Sequence, residues 1–130
     1  MPPIAKALLA CASLTLLLAT ALGAYASHGL EGVLAPRALA SLETAIEYQF
    51  YHGLGLLAVA LLADRYPQSR WLKISGALFI AGIVLFCGSL YATTLGEIAA
   101  LGRVTPVGGI AFMGAWVALA VAALMEKSRG

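Results

Sequence analysis

The chain has 130 residues, 62% of them hydrophobic and only 11% charged, with a mean hydropathy of +0.93. A water-soluble domain carries about twice that charge and far less apolar sequence, so a soluble core is excluded as the organising principle. The net charge of +2 is too small to imply nucleic acid, and the fold expected is an all-α integral membrane bundle.

Four apolar runs, at residues 4–26, 44–63, 72–95 and 104–125, set that architecture. Each can cross a hydrocarbon core of about 30 Å at about 1.5 Å per residue. Short links between neighbours predict an antiparallel four-helix bundle. No internal repeat or low-complexity stretch interrupts it, so residues 1–130 read as a single transmembrane domain.

The first run follows Pro2-Pro3, and Ala19, Gly23 and Ser27 repeat at a spacing that lets a neighbouring helix come close. Ala24-Tyr25-Ala26 resembles the end of a signal peptide. Leu8-Leu9-Ala10-Cys11 resembles a lipoprotein cleavage box, but the apolar stretch before it is too short for export. Both are read as accidents of an apolar helix that is retained. Gly29, Gly32 and Pro36 mark a turn, and Pro36 suits the first position of a new helix. Residues 36–43 are amphipathic, Leu39 and Leu42 alternating with Arg37, Ser41 and Glu43. A short interfacial helix is expected there before the second span, lying apart from that span or running into it.

The second span stops at Asp64-Arg65-Tyr66-Pro67, and Arg70, Trp71 and Lys73 anchor the third at the interface. Gly76, Ala77 and Ala81 give the third span a small-residue surface. In the fourth, Thr105-Pro106 is a helix start whose threonine hydroxyl is expected to cap free amides. Gly108-Gly109 reads as close helix packing, and Gly114, Ala118 and Ala122 as an exposed ridge for a partner. Cys11 and Cys87 fall at different depths, so no disulfide is expected and both are read as buried thiols.

Charge placement orients the chain. Lys6, Arg65, Arg70, Lys73, Lys127 and Arg129 gather at the face holding both termini, with Asp64 and Glu126; Arg37 and Arg103 share the other with Glu31, Glu43, Glu47 and Glu97. By the positive-inside rule both termini are expected in the cytoplasm of a bacterial inner membrane. Ser27-His28-Gly29, the segment Glu47–His52, Gly88-Ser89-Leu90-Tyr91 and Thr105–Gly109 then meet at the periplasmic face.

The second span carries the oddest pattern. On a helical wheel Thr44, Glu47, Tyr48, Tyr51 and His52 share one arc, extended by Gln49, with Ile46, Phe50, Gly53 and Leu57 opposite. Ionisable groups within a membrane are expensive and are functional candidates by default. The polar arc is therefore expected to point into the bundle, with His28, Ser89, Tyr91 and Arg103 reaching the same region. Read as structure alone, the set would pair Glu47 with Arg103 or His28 and bond His52 to Gln49 or Tyr91, holding the helices in register. His28 and His52 as haem ligands would need matching depth, and no further Cys or carboxylate completes a metal set. No nucleophile–base motif or nucleotide fingerprint is present, so no catalytic residue, metal or cofactor is assigned.

Several motifs carry a resemblance. They are Gly23–Leu30, Thr44-Ala45 with Tyr48–Leu54, Phe86–Tyr91, and Thr105–Gly109 followed by Gly114-Ala115-Trp116. In this order they resemble the bacterial domain-of-unknown-function family 423, which groups with the eukaryotic transmembrane protein 256. Ser27 stands where the pattern has Gly and Cys87 where it has Ser. The resemblance implies a four-helix membrane protein and no established activity. It leaves Gly23, Gly88, Pro106, Gly108, Gly109 and Gly114 as helix-packing positions.

The leading reading is a non-enzymatic inner-membrane protein. Its periplasmic-side pocket, built on His28, Glu47, Tyr48, Gln49, His52, Ser89, Tyr91 and Arg103, binds a small ligand, a lipid headgroup or a partner helix. The alternative is a structural or assembly subunit of a larger complex, whose polar network only sets helix register. A haem or metal redox protein and a minimal transporter rank below both. The partners expected are the bilayer and either further copies of the chain or another membrane protein.

Overall fold

The computed structural model describes residues 1–30 and 32–126. Glu31, Lys127 and Arg129, used above to orient the chain, lie outside the described residues. Among the described residues four helices are long and apolar enough to cross a membrane: α1 Pro3–Gly29, α2 Pro36–Arg65, α3 Arg70–Thr94, and a fourth whose α-helical part is α4 Thr105–Met125. Pro3 and Pro36 occupy first turns, where a missing amide costs nothing. Gly32 turns the chain between α1 and α2 with φ +81°, and the Ser69 hydroxyl accepts from the Leu72 amide to start α3.

Residues 36–43 form no separate helix. They are the first two turns of an unbroken α2, about 45 Å long at about 1.5 Å per residue. No Gly or Pro separates Pro36 from Gly53, and Leu42 continues the buried stripe of the helix beyond it.

That stripe runs through Leu42, Ala45, Ile46, Gln49, His52, Gly53, Leu56, Val59, Ala60 and Ala63, the three-and-four spacing of a helix face. It reverses the expected facing of α2. Glu43, Thr44, Glu47, Tyr48 and Tyr51 are exposed, and of the polar arc only Gln49 and His52 turn inward. This face fits α1 closely: a Cβ on Gly53 would come 2.8 Å from Leu16. Turning the other face inward would also strip water or headgroups from two carboxylates.

Helix α1 packs chiefly on α2 and α4 chiefly on α3, with α2 against α3 joining the pairs. Gly23 faces Ile46, Thr15 and Leu16 face Gly53, and Leu8 lies beside Gly76 close to Val59. These contacts descend α2 as they ascend α1. The main core holds Leu8, Leu56, Val59, Leu72, Phe79, Cys87 and Phe112; a smaller one holds Ala26, Leu30, Leu42 and Ile46.

Two expectations about surfaces change. Ala118 and Ala122 are buried and Gly114 sits against Leu78, so this ridge is spent on α3 and is not exposed. Cys87 is buried as expected, but Cys11 is exposed.

Candidate functional site

The middle of α3 departs from α-helical geometry. Residues Ile83–Cys87 form a wide π turn, in which the Gly88 amide donates to the Ile83 carbonyl. Such turns bulge the backbone and recur at functional sites. Here the bulge meets Gly108 of α4: a Cβ there would lie 2.3 Å from the Phe86 nitrogen, so only glycine lets the two backbones touch. One turn away the relation inverts, with Gly82 of α3 receiving the Phe112 ring of α4 at 2.3 Å from its virtual Cβ. Gly82 has no place in the family-like motifs, and its role emerges only once α4 is seated.

The Ser89 hydroxyl donates to the Phe86 carbonyl at 2.9 Å, at the exit of the bulge. It also hydrogen-bonds the Thr105 hydroxyl. With the Ser89 proton committed to the carbonyl, Thr105 is the donor. Thr105 therefore ties α4 to α3, and no side chain caps the start of α4.

Gln49 joins three helices. Its amide nitrogen donates to the Thr15 carbonyl of α1 at 2.8 Å, and its amide oxygen accepts from the Tyr91 hydroxyl of α3. His52 takes no part in this set. Its Nδ1 lies 2.7 Å from the Tyr48 carbonyl, which can only accept, so Nδ1 carries the proton. The imidazole stacks on Phe112, with centroids 3.6 Å apart and planes at 9°, and Phe79 and Trp116 flank it. Tyr48 stacks in turn on Phe86, at 4.8 Å. Among the described residues, no buried side-chain nitrogen or oxygen lacks a hydrogen-bond partner.

The structure thus gathers the second, third and fourth motifs and leaves out the first. His28, Glu47 and Arg103 are all exposed, and none joins the network around Gln49. Taking the Gly23–Ile46 contact as a common level, His28 lies five residues beyond it and His52 six short of it. That separates the two histidines by about 16 Å along the helix axes at about 1.5 Å per residue, so they do not ligate one haem. Among the described residues no three His, Cys, Asp or Glu side chains gather to hold a metal. Of the packing glycines, Gly88 faces open space and Gly109 makes ordinary contact. Pro106 is exposed in the first turn of α4.

One feature lies outside this closed interior. A groove of about 230 Å³ between α1 and α2 is lined by Gly23, Ala26, Ser27, Glu43, Ile46 and Glu47. The small α1 residues make the space, and two carboxylates one helical turn apart stand on its α2 side. Glu47 lines this groove with Glu43 and Ser27, apart from Gln49, His52 and Tyr91. Taking Leu42 to Ala63 by three-and-four spacing would have turned Glu43 and Glu47 outward together.

Four apolar helices around a hydrogen-bonded polar interior define a small multi-span membrane protein. The chain belongs to the family described as "Protein of unknown function (DUF423)", which its residues 22–109 match. It is 42% identical over 119 residues to the UPF0382 membrane protein YwdK of Bacillus subtilis, covering 92% of this chain and 97% of that protein. A UPF0382 membrane protein of Haemophilus influenzae is 40% identical over 83% of this chain and 86% of its own length. The UPF0382 inner membrane protein YgdD of Escherichia coli is 36% identical over 85% of this chain and 83% of its own. No solved structure matches.

Proposed function

We propose that the chain is a non-enzymatic inner-membrane protein that binds a membrane-protein partner through the outward face of α2. A cationic side chain of the partner enters the groove walled by Glu43, Glu47 and Ser27. Both termini are cytoplasmic and the groove lies on the periplasmic side. Lys6, Arg65, Arg70 and Lys73 at one end, against Arg37 and Arg103 at the other, support that orientation.

The observation that carries this reading is the division of α2. Its inward Gln49 is hydrogen-bonded to two other helices and the Nδ1 of His52 to its own helix, whereas Glu43, Thr44, Glu47 and Tyr51 face out at one end of a membrane-length helix. Interior groups with complete hydrogen bonding set helix register and have little left to offer a ligand. Carboxylates near hydrocarbon gain most from an opposite charge. In this reading Gln49, Tyr91, Ser89 and Thr105 are structural, and recognition is external.

The test is site-specific photocrosslinking in intact membranes, with the probe at Ser27 or Tyr51 and a control probe at the exposed Leu17 of α1. A discrete protein adduct is expected from the first two positions, absent from Leu17 and lost when Glu43→Gln and Glu47→Gln are combined. Equal labelling at all three positions, a lipid-sized adduct, or an adduct indifferent to the carboxylates would overturn the reading.

A further inference from the structure

The opposite end of the bundle carries a larger cavity, of about 350 Å³, between the end of α2, the start of α3 and the end of α4. Leu62, Leu72, Ala122 and Ala123 give it apolar walls, and Tyr66 and Glu126 bring polar groups to it. Its size falls in the range of about 300–1,000 Å³ typical of small-molecule sites. The Arg65 guanidinium stands over the Tyr66 ring, 6.0 Å from its centre. Arg70 and Lys73 lie exposed in the first turn of α3, on other faces of the helix from the lining residue Leu72. None of these groups belongs to the α1–α2 groove, so this site and the proposed partner site stand or fall separately.

We propose that this cavity holds one phospholipid with a primary-amine headgroup, of the phosphatidylethanolamine type. Charge complementarity selects it. The apolar walls accept the upper part of an acyl chain. The phosphate faces Arg65, whose guanidinium can bind two oxygens at once. The ammonium, with its N–H donors, faces the Glu126 carboxylate. A phosphatidylglycerol headgroup has no cation for Glu126. A phosphatidylcholine headgroup has a cation with no N–H to donate. The ethanolamine headgroup matches both charges.

The full chain in nanodiscs of equal phosphatidylethanolamine, phosphatidylglycerol and phosphatidylcholine, released for native mass spectrometry, tests this. One phosphatidylethanolamine per chain is expected, favoured over each other lipid by at least about tenfold, the ratio that a single charge-assisted hydrogen bond supplies. Glu126→Gln should remove the preference for phosphatidylethanolamine over phosphatidylglycerol. Ala123→Trp, at an exposed wall residue, should expel the lipid without entering the packed core. Equal retention of the three lipids, a preference for phosphatidylglycerol, or a preference that survives both substitutions would overturn the proposal.

Discussion

The two helix pairs of this bundle are joined in different ways. Between α3 and α4 the two backbones touch at Gly108, and side chains lock the contact on either side of it. Gly108 touches the bulged Phe86 segment, Gly82 receives Phe112, Ser75 donates to the Ala115 carbonyl at 2.8 Å, and Ser89 bonds Thr105. Between α1 and α2 the contact is side chain into space, with Leu16 over Gly53 and Gln49 reaching Thr15. Only 17% of the apolar window of α1 is buried, against 50% for α2. The α3–α4 pair is a rigid interlock. Helix α1 is a peripheral element laid on α2, and the acidic groove lies along that seam.

The difference sets an order of mutational costs. Gly108→Ala drives a methyl group into backbone that cannot yield, and should cost about 3 kcal/mol, the upper range for overpacking. Thermal unfolding of the purified protein would measure it, and a cost under about 1 kcal/mol would break the interlock account. Gln49→Leu removes the bonds to α1 and α3 together and leaves the Tyr91 hydroxyl unpaired, for about 2 kcal/mol. Tyr91→Phe should cost less, about 1 kcal/mol, because one bond is lost and Gln49 keeps Thr15. Gly53→Ala meets the flexible end of Leu16 and should also cost about 1 kcal/mol in the same assay. If Gly53→Ala matched Gly108→Ala, the two pairs would not differ in kind. Gly88→Ala sharpens the contrast from the other side. With open space around it and helical φ, it should be neutral or stabilising by up to about 1 kcal/mol.

The sequence made part of this legible. Four spans, the helix start at Pro36 and the close approach at Gly108 follow from composition and local rules that hold without tertiary context. The facing of α2 does not. Periodicity tells which residues share a face, and a wheel with Glu47, Tyr48 and Tyr51 on one arc is equally regular whether that arc points in or out. The facing shows in the packing of the Leu42–Ala63 stripe against α1 and α3, and that is a property of several helices. The π turn at Ile83–Cys87 has no proline or charge to announce it. Thr105 looked like a cap because its neighbour Ser89 is distant in sequence. That His28 sits higher than His52 follows from its place at the end of the first span, but the size of the separation needs the register of α1 on α2.

The central claim is that the inner polar groups of α2 hold the fold while its outer face binds. The most direct test measures two quantities on two variants: crosslink yield from Tyr51 in intact membranes, and the unfolding midpoint of the extracted protein. The account predicts that Gln49→Leu lowers the midpoint and keeps the adduct. It predicts that Glu43→Gln combined with Glu47→Gln keeps the midpoint, within the roughly 0.5 kcal/mol expected of surface substitutions, and loses the adduct. A Gln49→Leu protein that loses the adduct at an unchanged midpoint, or a double carboxamide variant that keeps it in full, would contradict the account.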